Sequence, residues 1–228
     1  MSIYDEIIEF YDQLKNDEYH RYKSWEHCFS YFQRSQEIKN DYASLQLAFY
    51  LASWGMYRGS SYLLWKDYKI HEDLIDLLKQ RNIISNKLDL AKEKDSENIE
   101  LIINTINIIK EYYFKKIKNV NGKEKKVRPS ITLASKVLLG INACIPAFDR
   151  FFITGMKINN LGGSINKKTL QNIFNYYRIN QIEFDSSCKY IKKHSGIEYP
   201  PMKLVDMYFW EIGRKEEERK KNLTTAST

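Results

Sequence analysis

ITLASKVLLGINACIPAFDRFF, running from Ile131 to Phe152, is apolar on nearly every side of a helical turn and then breaks. Leu133, Val137, Leu138 and Leu139 surround a single base, Lys136, so the segment predicts a helix buried in the middle of a fold. Gly140 and Pro146 interrupt the run. Asp149 then stands where the next helix begins, directly before an aromatic start at Phe151-Phe152. That order predicts a buried helix, a tight connection and a carboxylate at a helix entrance. The spacing neither requires nor forbids a meeting of Lys136 and Asp149.

Outward from this segment the pattern stays helical. Ile3, Ile7, Phe10, Tyr11 and Leu14 share one face of residues 2–15, and Ser2 and Asp5 stand at capping-box spacing. Residues 18–38 predict a second helix, with Tyr22, Trp25, Phe29 and Phe32 at contact spacing. From Asp41 to Trp65 large apolar residues cover almost all directions, which predicts a helix in the centre of the domain. A short helix over His71–Leu78 is followed by a polar stretch at 85–95. A long amphipathic helix then runs from Ser96 to Lys118, striped by Ile99, Ile102, Ile106, Ile109 and Tyr113. Asn119 to Lys123 breaks it, and Pro129-Ser130 opens the Ile131 helix. Two further helices are predicted over Lys167–Arg178 and Gln181–His194. A last one starts at Pro201 and leaves at Gly213.

The fold class expected is therefore all-α, a single compact multi-helix domain over residues 1–213 with a weak lobe boundary near 119–129. Residues 214–228 read as a charged, frayed tail. A chain of 228 residues that is 43% hydrophobic, with seventeen Tyr and eleven Phe, has ample material for one core. Four Pro and nine Gly leave too few turns for a β fold. Cys28, Cys144 and Cys188 are odd in number and far apart, which predicts free thiols in a reducing cytoplasm. The opening MSIYDEIIEF is acidic and amphipathic, unlike a signal peptide, and no apolar run reaches the ~20 residues of a membrane span. A soluble cytoplasmic protein is expected.

The net charge of +7 is concentrated. Lys115, Lys116, Lys118, Lys123, Lys125, Lys126 and Arg128 face only Glu124, giving 115–128 a charge of +6. Such a strip points to a polyanion, or it is a solvated loop of a lysine-rich protein. Arg58, set among Ser53, Gly55, Gly59, Ser60 and Ser61, either pairs with an internal carboxylate or holds a phosphate or substrate. Asp149 is a helix cap or a general base, and Lys136 a snorkelling core lysine or its partner at the site. His20, His27, His71 and His194 are scattered without metal-binding spacing, so neither metal nor other cofactor is expected.

Ser135-Lys136-Val137-Leu138 followed by Pro146-x-x-Asp149 resembles the core of the helix-hairpin-helix DNA glycosylases. The resemblance spans about twenty residues. It implies a two-lobed helical array, with Asp149 at the position of that family's catalytic aspartate. The family's glycine hairpin is replaced here by Val127-Arg128-Pro129-Ser130-Ile131-Thr132, and neither its lyase-type lysine nor its iron–sulfur cysteines are present. LASWGMYRGSS, PAFDRFF and YPPMKLVDMYFW also resemble segments of an uncharacterised bacterial family, which implies no chemistry.

Three functions follow. The first is nucleic-acid binding by a helical, glycosylase-like domain with Asp149 at its site. A non-catalytic helical interaction module, a component of a bacterial stress or phage-defence system with a protein partner or a second copy, is the alternative. The third is an enzyme holding a small anionic substrate on Arg58. Whether the chain catalyses a reaction is left open by the sequence.

Overall fold

The computed structural model describes residues 2–34, 38–84 and 95–225, and among these the chain is helical apart from turns and one small hairpin. The helices are α1 (Ile3–Asn16), α2 (Lys23–Phe32), α3 (Asn40–Ser53), α4 (Glu72–Gln80), α5 (Asp95–Lys116) and α6 (Ile131–Ile141). They continue with α7 (Arg150–Ile158), α8 (Lys167–Ile179), α9 (Gln181–Ser195) and α10 (Pro201–Thr225). Between α5 and α6, β1 (Asn119–Val120) and β2 (Lys123–Glu124) pair antiparallel, with Val120 opposite Lys123. The turn residues Asn121 and Gly122 both have positive φ, the conformation a two-residue hairpin needs to follow strand twist. No described helix is long and apolar enough to cross a membrane.

α6 lies at the centre. Every residue from Leu133 to Ile141 is buried, and the helix packs on α2, α3 and α5. Ser130 caps it, its hydroxyl accepting from the Leu133 N–H at 3.0 Å. Burying a leucine or valine contributes about 1.5–3 kcal/mol, so this nearly continuous apolar surface is a main source of its stability. α1 starts on the capping box of Ser2 and Asp5, and its apolar face meets α9 and α10. α7 and α10 form the most extensive helix pair, and the buried side chains from Ile3 to Trp210 make one contiguous cluster.

Three elements differ from the sequence expectation. The second helix covers only Lys23–Phe32: Asp17 Oδ1 accepts from the Tyr19 N–H at 2.9 Å, and that side-chain turn takes residues 17–19 out of the helix. Residues 35–37 of the expected helix, and 85–94 of the polar stretch, lie outside the described residues. α3 stops at Ser53, and the chain turns at Gly55 (φ +77°) into the short 3-10 turns Gly59–Ser61, Leu63–Trp65 and Tyr68–His71. The apolar residues expected to surround one buried helix therefore divide. Leu47 and Leu51 are in the core, whereas Leu45, Phe49, Leu64 and Trp65 are 44–63% exposed. Finally, α10 passes straight through Gly213 to Thr225. Glu211 and Glu218 pair with Arg214, Glu216 with Arg219, and Glu6 and Glu9 of α1 with Lys215.

Candidate functional site

Ser135 and Thr132 of α6 hold the connection to α7 against the helix. The Thr132 hydroxyl donates to the Phe148 carbonyl at 2.8 Å, and the Phe148 N–H donates to Ser135 Oγ at 2.9 Å. These two bonds place Asp149 opposite Lys136. The Lys136 ammonium donates to Asp149 Oδ2 at 2.9 Å, and Asp149 Oδ1 accepts from the Phe152 N–H at 3.1 Å, capping α7. Lys136 does not snorkel: its side chain is 3% exposed, and that of Asp149 is 17% exposed. Both carboxylate oxygens are thus engaged, one by a helix N-terminus and one by a buried cation.

A second ion pair, which the sequence reading missed, braces the same connection from the other side. Asp206 of α10 accepts the Ala147 N–H on Oδ1 at 2.8 Å and the Lys203 ammonium on Oδ2 at 3.2 Å. The signal was available in PMKLVDMYFW, where Lys203 and Asp206 are the only charges in an otherwise apolar helical run and stand three residues apart. Both are sealed, with side chains 3% and 5% exposed. Burial drives the Asp206 carboxyl up and the Lys203 ammonium down from their ordinary pKa values, against the pull of each on the other. Desolvation therefore outweighs attraction in this pair.

Trp54 lies between the two ammonium groups, 4.6 Å from Lys136 Nζ and 5.6 Å from Lys203 Nζ. Trp25 lies 4.9 Å and Phe10 5.6 Å from Lys203 Nζ. Trp54 Nε1 and the Tyr50 hydroxyl are buried beside the cluster without a hydrogen-bond partner among the described residues. Burial first, then the nearby Asp206, Cys28 and Asp149, push the Tyr50 hydroxyl well above its ordinary pKa. The cluster fixes the α6–α7 connection to α10 through opposite charges under an aromatic roof.

Arg58 makes no hydrogen bond or ion pair with Lys136 or Asp149, and no ion pair at all among the described residues. It is exposed in the turns after α3, so water solvates it where an internal carboxylate was one expectation. Its neighbour Tyr57 anchors that segment. Tyr57 Oη lies 3.0 Å from His71 Nε2, and His71 Nδ1 lies 2.8 Å from Tyr113 Oη on α5.

His71 is fully buried, and that burial lowers its pKa to about 3. Between that value and the 6.5 of an unperturbed histidine, the unfolded chain binds a proton that the folded chain refuses. The stability due to a neutral His71 is complete above the unfolded pKa and falls by about 1.4 kcal/mol per pH unit on acidification through this window. Urea unfolding followed from about pH 7 to about pH 4 should show this slope in the parent, and His71→Gln should flatten it by close to one proton. Equal slopes in the two proteins would remove His71 from the account.

Among the described residues the basic strip makes no ion pair with this cluster. Ile117, Val120 and Val127 are buried and pin the hairpin to the core, while Lys118, Lys123, Lys125, Lys126 and Arg128 are exposed. Lys115 and Lys116 are neutralised, by Glu111 at 2.6 Å and by Asp73 respectively. The other five make no ion pair among the described residues, so with Glu124 the hairpin carries +4. Lys66 donates to the Asn119 carbonyl, which places exposed Leu64 and Trp65 next to the hairpin. Phe114, 52% exposed, is in the last turn of α5, which ends at Lys116 just before the hairpin. Among the described residues no three His, Cys, Asp or Glu side chains gather as metal ligands. The chain matches no family model, no curated protein and no solved structure.

Proposed function

We propose that the protein binds nucleic acid on the outward face of the 118–128 hairpin. The observation that carries this reading is a set of five exposed cations on a segment packed to the core by three buried apolar residues, without ion-pair partners among the described residues. Phosphates would supply those counter-charges, and counterion release would drive the association. Trp65 and Phe114 offer ring faces on which unpaired bases stack, which favours single strands. The reading needs no base excision. Asp149 takes no part in it, being occupied as the cap of α7 and the counter-ion of Lys136.

Anisotropy titrations with a short labelled single strand test the proposal. Five phosphate contacts predict a slope of log affinity on log salt of about −3.5, and reversing Lys123, Lys125 and Lys126 to Glu should remove at least about 2 of it. Affinity that ignores salt, or survives the triple reversal, rejects the proposal.

A second reading rests on α3, where Tyr42, Leu45 and Phe49 form an exposed apolar stripe at helical spacing. Such a stripe suits a protein-interaction module of the bacterial stress or defence type. The same variant separates the two, because charge reversal on the hairpin leaves an α3 contact intact.

A further inference from the structure

A cleft of about 630 Å³ lies where several helices end, remote in sequence from the hairpin. We propose that it binds an organic cation, a primary amine or guanidinium on an apolar stem. Its volume is that of a small-molecule site. The chain has 36 lysines and arginines, yet no Lys, Arg or His lines the cleft. Two carboxylates do, Asp185 and Glu198.

Glu198 is at the exposed rim, paired with Lys192 at 2.6 Å. Asp185 is half-buried and has no cationic partner among the described residues. Its donors are neutral and distant: the Tyr177 hydroxyl at 3.3 Å and Gln181 Nε2 at 3.4 Å. A carboxylate so placed has acceptor capacity left for an ammonium or guanidinium.

Backbone polarity has the same sign. Gln33 caps the C-terminus of α2, Asn142 that of α6 and Gly196 that of α9, and all three residues line the cleft. The negative ends of three helices therefore meet there. One opposite end is present, the start of α10, but Pro200 and Pro201 remove two of the N–H donors an anion would need. Phe29, Ile197 and Met202 supply apolar wall for the stem.

Cys188 provides a reporter. It lines the cleft half-buried, donating weakly to the Tyr199 carbonyl, whereas Cys28 and Cys144 are buried. In the full chain, benzamidine and phenethylamine should bind by calorimetry and slow maleimide labelling of Cys188, while benzoate should do neither. Asp185→Asn should weaken both cations about tenfold or more, as expected for loss of one charge-assisted hydrogen bond. Tyr177→Phe keeps the carboxylate and should retain binding, which guards against a loss of fold in the first variant; circular dichroism checks both. Absence of cation binding, equal binding of benzoate, or undiminished affinity in Asp185→Asn each overturns the proposal. It is independent of the nucleic-acid reading, since hairpin charge reversal leaves the cleft unchanged.

Discussion

An Asp206→Ala variant is expected to lose about 3–5 kcal/mol of stability, the usual cost of stranding one charge of a buried pair. Two losses combine. The Lys203 ammonium stays beneath Phe10, Trp25 and Trp54 without the carboxylate it is hydrogen-bonded to, and ring faces recover only about 0.5–2 kcal/mol of that. The Ala147 N–H, which Asp206 now accepts, becomes a buried donor with no acceptor. Asp206→Asn keeps an oxygen for Ala147 and should sit between the parent and the alanine variant. Adding Lys203→Met to Asp206→Asn removes both charges and should return stability to within about 1 kcal/mol of the parent, because desolvation exceeds attraction here. Urea unfolding of the four proteins decides it. A loss below about 1 kcal/mol for Asp206→Ala would mean that water reaches Lys203.

The pair matters to the fold beyond its net energy. Ala147 and Asp149 flank Phe148 in the connection, and each is held by a different helix: Ala147 by Asp206 of α10 and Asp149 by Lys136 of α6. An apolar replacement could fill the same volume, but it would not specify which loop residue faces which helix. This is a registry role of the kind buried polar groups serve in helical assemblies.

Much of this was legible beforehand, and the reasons for the rest are physical. Local signals were reliable: the Ser2–Asp5 capping box, the Ser130 cap, the Ile99–Tyr113 stripe and the carboxylate at the start of α7 all act within one or two helical turns. The end of α3 was not legible, because Trp54, Tyr57, Leu63 and Trp65 continue an apolar composition after the backbone has left the helix at Gly55. Composition records what is apolar and not where the chain turns. At Gly213 the opposite error arose, since glycine marks helix exits in general and here marks a close crossing.

The candidate site divides in the same way. Lys136 and Asp149 could be singled out as unusual charges in an apolar stretch, but their pairing depends on the turn that Ser135 and Thr132 hold. The cleft was illegible altogether. Gln33, Asn142, Asp185 and Gly196 come from separate elements, and only the packed fold brings their helix ends together.

Gly213→Ala provides the second large effect, and its sign is the informative part. Alanine is favoured over glycine by about 1 kcal/mol inside a helix, so propensity alone predicts a more stable protein. Packing predicts the reverse. A Cβ on Gly213 would lie 2.6 Å from the Phe151 carbonyl carbon and 3.0 Å from the Gly155 nitrogen, and one on Gly155 would lie 2.8 Å from the Phe209 carbonyl carbon. These are backbone atoms of the facing helix, which cannot rotate aside as a side chain would. Phe151 and Gly155 on α7 thus meet Phe209 and Gly213 on α10 reciprocally, each glycine leaving room for the other helix's main chain. Inserting a methyl group must separate α7 from α10, and Phe152, Met156 and Phe209 are buried in that contact. Overpacking of this kind typically costs about 1–3 kcal/mol, and clashes with backbone atoms lie at the upper end, so a net loss of up to about 2 kcal/mol is expected after the propensity gain, with Gly213→Val losing more. Urea midpoints measure this directly. A Gly213→Ala protein as stable as its parent, or more so, would show that the two helices can slide apart at little cost and that their crossing is not what holds α10 in register.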